Sequence, residues 1–282
     1  MTPSLVRDMP EADYHADLSL SSTGARRLLD CPARYRWEAD HPTPPTDAMK
    51  FGKAVHRHLL GTGAEIAVSD EWTDFRTKAA QEWKAKVEAT GAVALLESGK
   101  DWQHIRAMRA ALDAHPSYAR LFDPERGDAE VSVFWTDEDT GVPCRARFDF
   151  LPHPVEGRRL IVPDLKKTVS AQPDQFARSV AKYGYAQQAA WYLDAVRALN
   201  LDADPAFVFV VIEDKAPYLV SVLQLSLVDL NRGRALNRLA RRMWADCTEL
   251  GSWPGYTDDA VAVMDLPTYW RMTADDLLEM TA

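Results

Sequence analysis

An aspartate and a lysine stand two apart in the apolar stretch Leu160-Ile161-Val162-Pro163-Asp164-Leu165-Lys166. A strand repeats its side-chain direction every two residues, so Asp164 and Lys166 face the same side. A carboxylate near a strand end can hold a hard divalent ion through oxygen. An ammonium beside it can orient a water or stabilise charge growing on a phosphate. The spacing by itself also describes a surface ion pair. Asp149 shifts the balance, because it lies on the preceding stretch where Cys144, Ala146, Phe148 and Phe150 alternate with Arg145, Arg147 and Asp149. The turn-rich connection His153 to Gly157 predicts adjacent antiparallel strands that bring Asp149 to Asp164. Two carboxylates so placed repel unless a cation sits between them. With Lys166 the set suits metal-assisted hydrolysis of a phosphodiester; a carboxylate simply paired to Arg145 or Arg147 is the competing reading.

Two further elements carry polar groups. Tyr185, Gln188 and Tyr192, at spacings of three and four, share one stripe of a helix. Ala189, Ala190, Leu193 and Val196 supply its packing face, which leaves the glutamine and tyrosines to hold a phosphate or orient the lysine. His56, in Phe51-Gly52-Lys53-Ala54-Val55-His56, reads either as an ordinary packed histidine or as a neutral imidazole able to ligate a divalent ion.

The elements that must position these groups are legible from periodicity. Residues 20–122 read as helical: a helix capped by Ser21, Ser22 or Thr23 and broken at Cys31-Pro32, another near 33–39, a third over 49–60, and amphipathic runs near 70–90 and 99–113. The period then falls to two. Val131, Val133 and Trp135 alternate with Glu130, Ser132 and Phe134, and Asp-Glu-Asp-Thr-Gly at 137–141 supplies a hairpin turn before the Asp149 strand. Strand 160–166, helices at 172–183 and 185–200, strands at 206–213 and 217–225, and an arginine-bearing helix at 227–248 complete an α/β core without internal repeats.

A chain of 282 residues with 46% hydrophobic and 27% charged residues can bury a large core and is neither a disordered tail nor a coiled-coil rod. It has no apolar stretch of membrane-spanning length and no secretory signal, so a cytoplasmic address is expected and no membrane partner. Cys31, Cys144 and Cys247 are too far apart for a disulfide framework or a Cys-x-x-Cys knuckle and read as free thiols. The net charge of −9 disfavours wholesale wrapping of nucleic acid, yet it is uneven. Gly141 to Gly184 and Val228 to Arg242 are basic, whereas Asp258, Asp259, Asp265, Asp275, Asp276 and Glu279 face only Arg271 after Gly251. A polyanion bound at one place suits this pattern, as does ordinary solvated surface.

Taken in order, Gly52-Lys-Ala-Val-His56, Arg145-Ala-Arg-Phe-Asp149, Pro163-Asp164-Leu165-Lys166 and Gln188-Ala-Ala-Trp-Tyr192 resemble the PD-(D/E)XK nuclease superfamily in its RecB-like branch, and the RecE-type phage and prophage exonucleases within it. Leu18-Ser-Leu-Ser-Ser-Thr, the string Leu28 to Tyr35, and Tyr183-Gly184-Tyr185 add to the likeness, which spans roughly residues 18–225. The resemblance implies a restriction-endonuclease-like α/β core, with a mixed central sheet flanked by helices. The whole chain would be one nuclease domain: a helical N-terminal portion at about 18–122, the catalytic core at about 128–250 and an acidic segment at 251–282. It further implies magnesium or manganese held by Asp149, Asp164, the main-chain carbonyl of Leu165 and His56, with Glu130 joining the shell or holding a water. Lys166, Gln188 and Tyr192 would complete the catalytic set, and Arg26, Arg34, Arg145 and Arg147 are candidate phosphate contacts. The four-cysteine set of iron–sulfur members is missing, so no cluster is expected. Such enzymes digest one strand of linear duplex DNA from its 5′ end, often as a trimeric or tetrameric ring, and hand the 3′ overhang to a single-strand annealing protein of RecT type. A phage or prophage origin follows from the same likeness. The motifs encode hydrolysis rather than polarity, so an endonuclease or structure-specific repair nuclease is the alternative, and a catalytically inactive DNA-binding or adaptor subunit a further one.

Overall fold

The computed structural model describes residues 2–43, 46–61, 66–257 and 261–280. The N-terminal part runs β1 (Ser4–Val6), α1 (Glu11–Ala16), β2 (Leu20–Ser21), α2 (Ser22–Asp30), α3 (Pro32–Asp40), α4 (Asp47–Leu60), β3 (Ile66–Ser69), α5 (Lys78–Glu88), β4 (Val93–Leu96), α6 (Lys100–Asp113) and α7 (Pro116–Leu121). The core follows as β5 (Gly127–Thr136), β6 (Pro143–Pro152), β7 (Ile161–Thr168), α8 (Pro173–Tyr183), α9 (Tyr185–Ala198), β8 (Ala206–Glu213), β9 (Val220–Leu223), α10 (Leu227–Leu250) and α11 (Thr268–Glu279).

Local chemistry explains the boundaries. The hydroxyls of Ser21, Thr46, Thr77 and Ser226 accept from main-chain amides in the first turns of α2, α4, α5 and α10. Cys31 is extended at φ −164° before Pro32, which ends α2 and starts α3. Between α8 and α9 the chain turns on Gly184 at φ +66°, a conformation that disfavours any side chain. A Cβ there would also lie 2.4 Å from Cδ of Arg26.

β5 and β6 form the expected antiparallel hairpin, and Asp137 closes its turn by accepting from the amide and hydroxyl of Thr140. With β1 antiparallel to β5 and β2 parallel to β6, the strand order is β1-β5-β6-β2. β7 pairs in parallel with β8 across the α8–α9 connection, and β9 returns antiparallel to β8. β6 lies beside β7. At this junction the Leu165 amide of β7 donates to the Asp149 carboxylate of β6, at 2.8 Å. β7 and β8 are covered on both faces, as parallel strands require. Phe148, Trp191 and Phe209 pack on one side with α9, while Leu59, Leu165, Val210 and Ile212 pack on the other with α4 and α6.

The N-terminal portion is not purely helical. β3 and β4 pair in parallel, and β2 extends the β6 edge. Four-residue apolar runs such as Ile66–Ser69 and Val93–Leu96 are too short for a period of two to stand out against helical neighbours. The run read as helix near 70–90 is helical only over Lys78–Glu88; Trp72 and Phe75 ahead of it fold back onto Trp83. Three elements were not anticipated at all, β1 and α1 near the N-terminus and α11 near the C-terminus. Cys31, Cys144 and Cys247 are buried free thiols. Asp258 and Asp259 of the sequence reading lie outside the described residues. Among those described, no helix is long and apolar enough to cross a membrane.

Candidate active site

β7 delivers Asp164 and Lys166 to the face covered by α9, as its period of two requires. Asp164 is 1% exposed, and its Oδ2 forms an ion pair with the Lys166 ammonium. Its Oδ1 accepts from Gln188 Nε2 at 3.1 Å. Gln188 also lies 3.4 Å from the Tyr192 hydroxyl, which donates to the Arg147 carbonyl of β6 at 2.7 Å. The helix stripe thus ties β7 to β6 through Asp164, Gln188 and Tyr192. One position earlier, Trp191 donates from Nε1 to the Arg145 carbonyl at 2.9 Å. That anchor was not foreseen, since a buried tryptophan reads as packing alone. Ala189, Ala190, Leu193 and Val196 form the packing face and are fully buried. The same helix approaches α10 so closely at Gly233 that a Cβ there would lie 2.3 Å from the Ala186 carbonyl oxygen.

Asp149 reaches the cluster from β6. Its Oδ2 accepts from the Leu165 amide, and its Oδ1 lies 3.2 Å from His56 Nε2 on α4. Its partner is therefore the imidazole, and neither Arg145 nor Arg147. Lys166 sits with its ammonium 4.9 Å from the centroid of the Tyr185 ring. Asp149, Asp164, Lys166, His56, Gln188 and Tyr192 are thus gathered from four elements, β6, β7, α4 and α9.

Burial disfavours the ionised form of Asp164, and the neighbouring Asp149 charge adds to this. Lys166 offsets only part, so the carboxyl is pushed up to about 6. Asp149 feels the same desolvation, yet the charge and hydrogen bond of His56 outweigh it and hold the carboxyl below its ordinary value. The carboxylates likewise overcome burial at His56 and Lys166, raising both. The site is a compact cluster of partly uncompensated charge, a feature that concentrates at functional centres.

Glu130 stands across the β5–β6 register from Asp149 and adopts φ +54°, unusual for a side chain of its size. Its carboxylate lies 3.2 Å from Arg147 Nε, and burial followed by the Asp149 charge raises its pKa. It borders a cleft of about 500 Å³ lined also by Arg7, Glu11, Arg57 and Asp128.

The four arginines proposed as phosphate contacts fare differently. Arg145 donates to the main-chain carbonyls of Tyr14 and Asp17, and Arg147 to that of Met9 at 2.5 Å. Both guanidiniums stack against the Tyr14 ring, at 4.8 and 5.4 Å, and are 12% and 16% exposed. They are internal struts that clamp the N-terminal segment to β6, which corrects the expectation that they meet phosphates. Arg145 Nη1 and Arg147 Nη2 donate to protein oxygens, and the Nε atoms of both, with Arg147 Nη1, are buried although Arg147 borders the cleft. Arg34 is on the surface, paired with Asp30 at 3.0 Å. Arg26 alone of the four approaches the centre: it donates to the Gly184 carbonyl at 3.3 Å and feels the charge of Asp164.

The donor set suits a hard divalent cation. Asp149 and Asp164 offer oxygens, and Asp164 Oδ2 is buried facing the Lys166 ammonium. Among the described residues no three His, Cys, Asp or Glu side chains converge tightly enough to cage an ion. Any further positions would fall to main-chain oxygen, water and the substrate.

The model of one protein family, the PDDEXK-like domain of unknown function (DUF3799), matches residues 21–264. The chain belongs to this family. As a PDDEXK-like protein it has the mixed α/β core, with sheet flanked by helices, that the motifs implied. A search of the curated proteins finds no significant match. Among solved structures, a Eubacterium rectale protein whose printed name is "Putative exonuclease" is similar, with a TM-score of 0.57 at 12% identity, over 95% of this chain and 97% of that one. At that identity the likeness speaks to the fold.

Proposed function

We propose that this PDDEXK-like protein is a metal-dependent deoxyribonuclease that digests linear duplex DNA from its ends, one strand in the 5′-to-3′ direction. The observation that carries the hydrolytic reading is the meeting of Asp149, Asp164 and Lys166, three groups from two strands, in a nearly closed site backed by Gln188. The name printed for the Eubacterium rectale protein supports the exonuclease form of it. Asp149 and Asp164, with the Leu165 carbonyl and His56, would hold magnesium or manganese, and Glu130 would border that shell. When bound, such an ion supplies charge neutralisation at the phosphate and a more acidic water. Lys166, its ammonium held charged, stabilises the negative charge that grows on the phosphoryl oxygens. Gln188 and Tyr192 fix the orientation of Asp164 so that its carboxylate does not rotate away. Arg26, which approaches the centre, would meet a phosphate there.

The wider proposal places the enzyme in recombination: a homo-oligomeric ring, trimer or tetramer, in the cytoplasm of a host cell, working with a single-strand annealing protein on the overhangs it makes. The sequence likeness to RecE-type exonucleases and the basic stretch at 141–184 support it.

The test is digestion of one plasmid in two forms, linear and covalently closed, with magnesium and with manganese. Release of nucleotides from the linear form alone is expected, and Lys166→Ala should release none. Equal attack on the closed circle would make the protein an endonuclease on the same core. Binding without metal-stimulated release from either form would leave the DNA-binding or adaptor reading.

A further inference from the structure

A ladder of two aromatic rings with a cation at each end leads from the reaction centre to solvent. Its inner end is the Lys166 ammonium, 4.9 Å from the Tyr185 ring centroid. Tyr185 is fixed from behind by Phe176 and Phe209, at 6.2 and 6.0 Å between centroids. The Tyr183 ring follows at 5.6 Å and an interplanar angle of 32°, and the Lys182 ammonium lies 5.3 Å from the Tyr183 centroid. Tyr183 is 51% exposed. The ladder bends on Gly184, whose left-handed conformation turns the end of α8 into the start of α9 and sets the two tyrosines side by side. Arg26 braces that turn through the Gly184 carbonyl.

A half-exposed tyrosine among lysines gains little as surface decoration. Beside a hydrolytic centre for polyanions it has the two properties that hold a nucleic acid strand: a flat apolar face for a base and positive charge for its phosphates. We propose that Tyr183, backed by Tyr185 and flanked by Lys182, is a stacking subsite for one unpaired nucleobase next to the phosphate being cut. The base must be unpaired, because within a duplex both of its faces are already covered by neighbours. The outer ring stands two stacking steps from the Lys166 ammonium, within reach of the adjoining nucleotide. The subsite therefore selects frayed or single-stranded termini over firmly paired ones. Tyr183 is a positioning residue, and the inference rests on the nuclease reading for the identity of the polyanion.

The experiment uses a duplex carrying 2-aminopurine at an unpaired terminal position, bound by the full-length protein in chelator so that nothing is cut. Stacking on tyrosine should quench the fluorescence on binding. The quench should disappear in Tyr183→Ala and return in Tyr183→Phe, since a phenyl ring stacks as well as a phenol. With metal present, Tyr183→Ala should raise KM roughly 5- to 100-fold, the worth of one base on one aromatic ring, with a smaller change in kcat. The preference for frayed over G·C-closed ends should collapse in the same variant. A quench that survives in Tyr183→Ala, an equal loss in Tyr183→Phe, or a kcat-only defect would overturn the subsite. Absence of any nucleotide release by the unaltered protein would instead overturn the nuclease reading, and the quenching result would still decide the stacking.

Discussion

Two ionic clusters are built into this core, one with its cation against Trp191 and the other with its cation against Tyr185, and they are built differently. In one, Arg241 of α10 is 5% exposed at its side chain and meets two carboxylates, Asp137 in the β5–β6 turn and Asp194 on α9 at 2.6 Å, with its guanidinium 5.0 Å from the Trp191 ring centroid. Its charge, though disfavoured by burial, is held by those two acids. The planar fork suits two acceptors at once, and the cluster stitches helix, turn and helix together. In the other, Asp149, Asp164, Lys166 and His56 carry similar charge with poorer compensation: Asp164 pairs with Lys166, yet its buried carboxyl is still pushed up to about 6 by burial and the neighbouring Asp149 charge. A cluster whose purpose is cohesion balances its charges, and one whose purpose is chemistry leaves two carboxylates close enough to disfavour each other's charge.

Substitutions can break that contrast. The largest effect on stability is expected from Arg241→Ala, which strands two carboxylates. Loss of one partner of a buried pair costs about 3–5 kcal/mol. Denaturant unfolding should show this, while the rate per folded molecule stays near that of the parent. Lys166→Ala should do the converse. Nucleotide release should fall by at least about 10²–10³-fold, the usual worth of one group aimed at transition-state charge, with DNA binding in a filter assay largely kept. Equal loss of both would place Lys166 among binding groups.

A pH series in chelator sharpens the comparison further. Asp164 keeps its proton to about pH 6 when folded but releases it near 3.8 when unfolded. Its protonation therefore favours the folded chain at low pH, and the advantage is lost as pH rises through about 6. His56, raised above 6.5 by Asp149, adds a contribution that is full below 6.5 and is lost as pH climbs through its folded value. Asp149 is held low, so its contribution is already complete above 3.8 and is constant here. His15 and His58, lowered by burial, work in the opposite sense. The informative quantity is the difference from Asp164→Asn, in which the slope between pH 4 and 6 should flatten by thermal melting. The smallest effect is expected for Tyr192→Phe, about 1 kcal/mol from the hydrogen bond lost at the Arg147 carbonyl.

The parts of this architecture that the sequence disclosed are those governed by short-range periodicity. Asp164 and Lys166 share a face because a strand repeats every two residues, and Gln188 and Tyr192 share one because a helix returns after four. The hairpin at Asp137 was readable from its turn residues. What stayed hidden depends on tertiary meetings. Arg145 and Arg147 look like free cations until the carbonyls of Met9, Tyr14 and Asp17 close over them, and nothing in a polar N-terminal stretch announces that service. Arg241 is one arginine in a basic run, separated from Arg234, Arg238 and Arg242 only by its burial against Trp191. The two-residue β2 and four-residue β3 and β4 exist through their partners rather than their own pattern.

The bond from the Leu165 amide to Asp149 has an evolutionary corollary. Because the donor belongs to the peptide backbone, every residue except proline at position 165 preserves it, so drift among apolar side chains there leaves the join between β6 and β7 undisturbed. The acceptor enjoys no such insulation. Extending it by one methylene, as in Asp149→Glu, moves the oxygens away from an anchor that cannot follow, so tolerance at these two positions should be as unequal as any pair in the molecule.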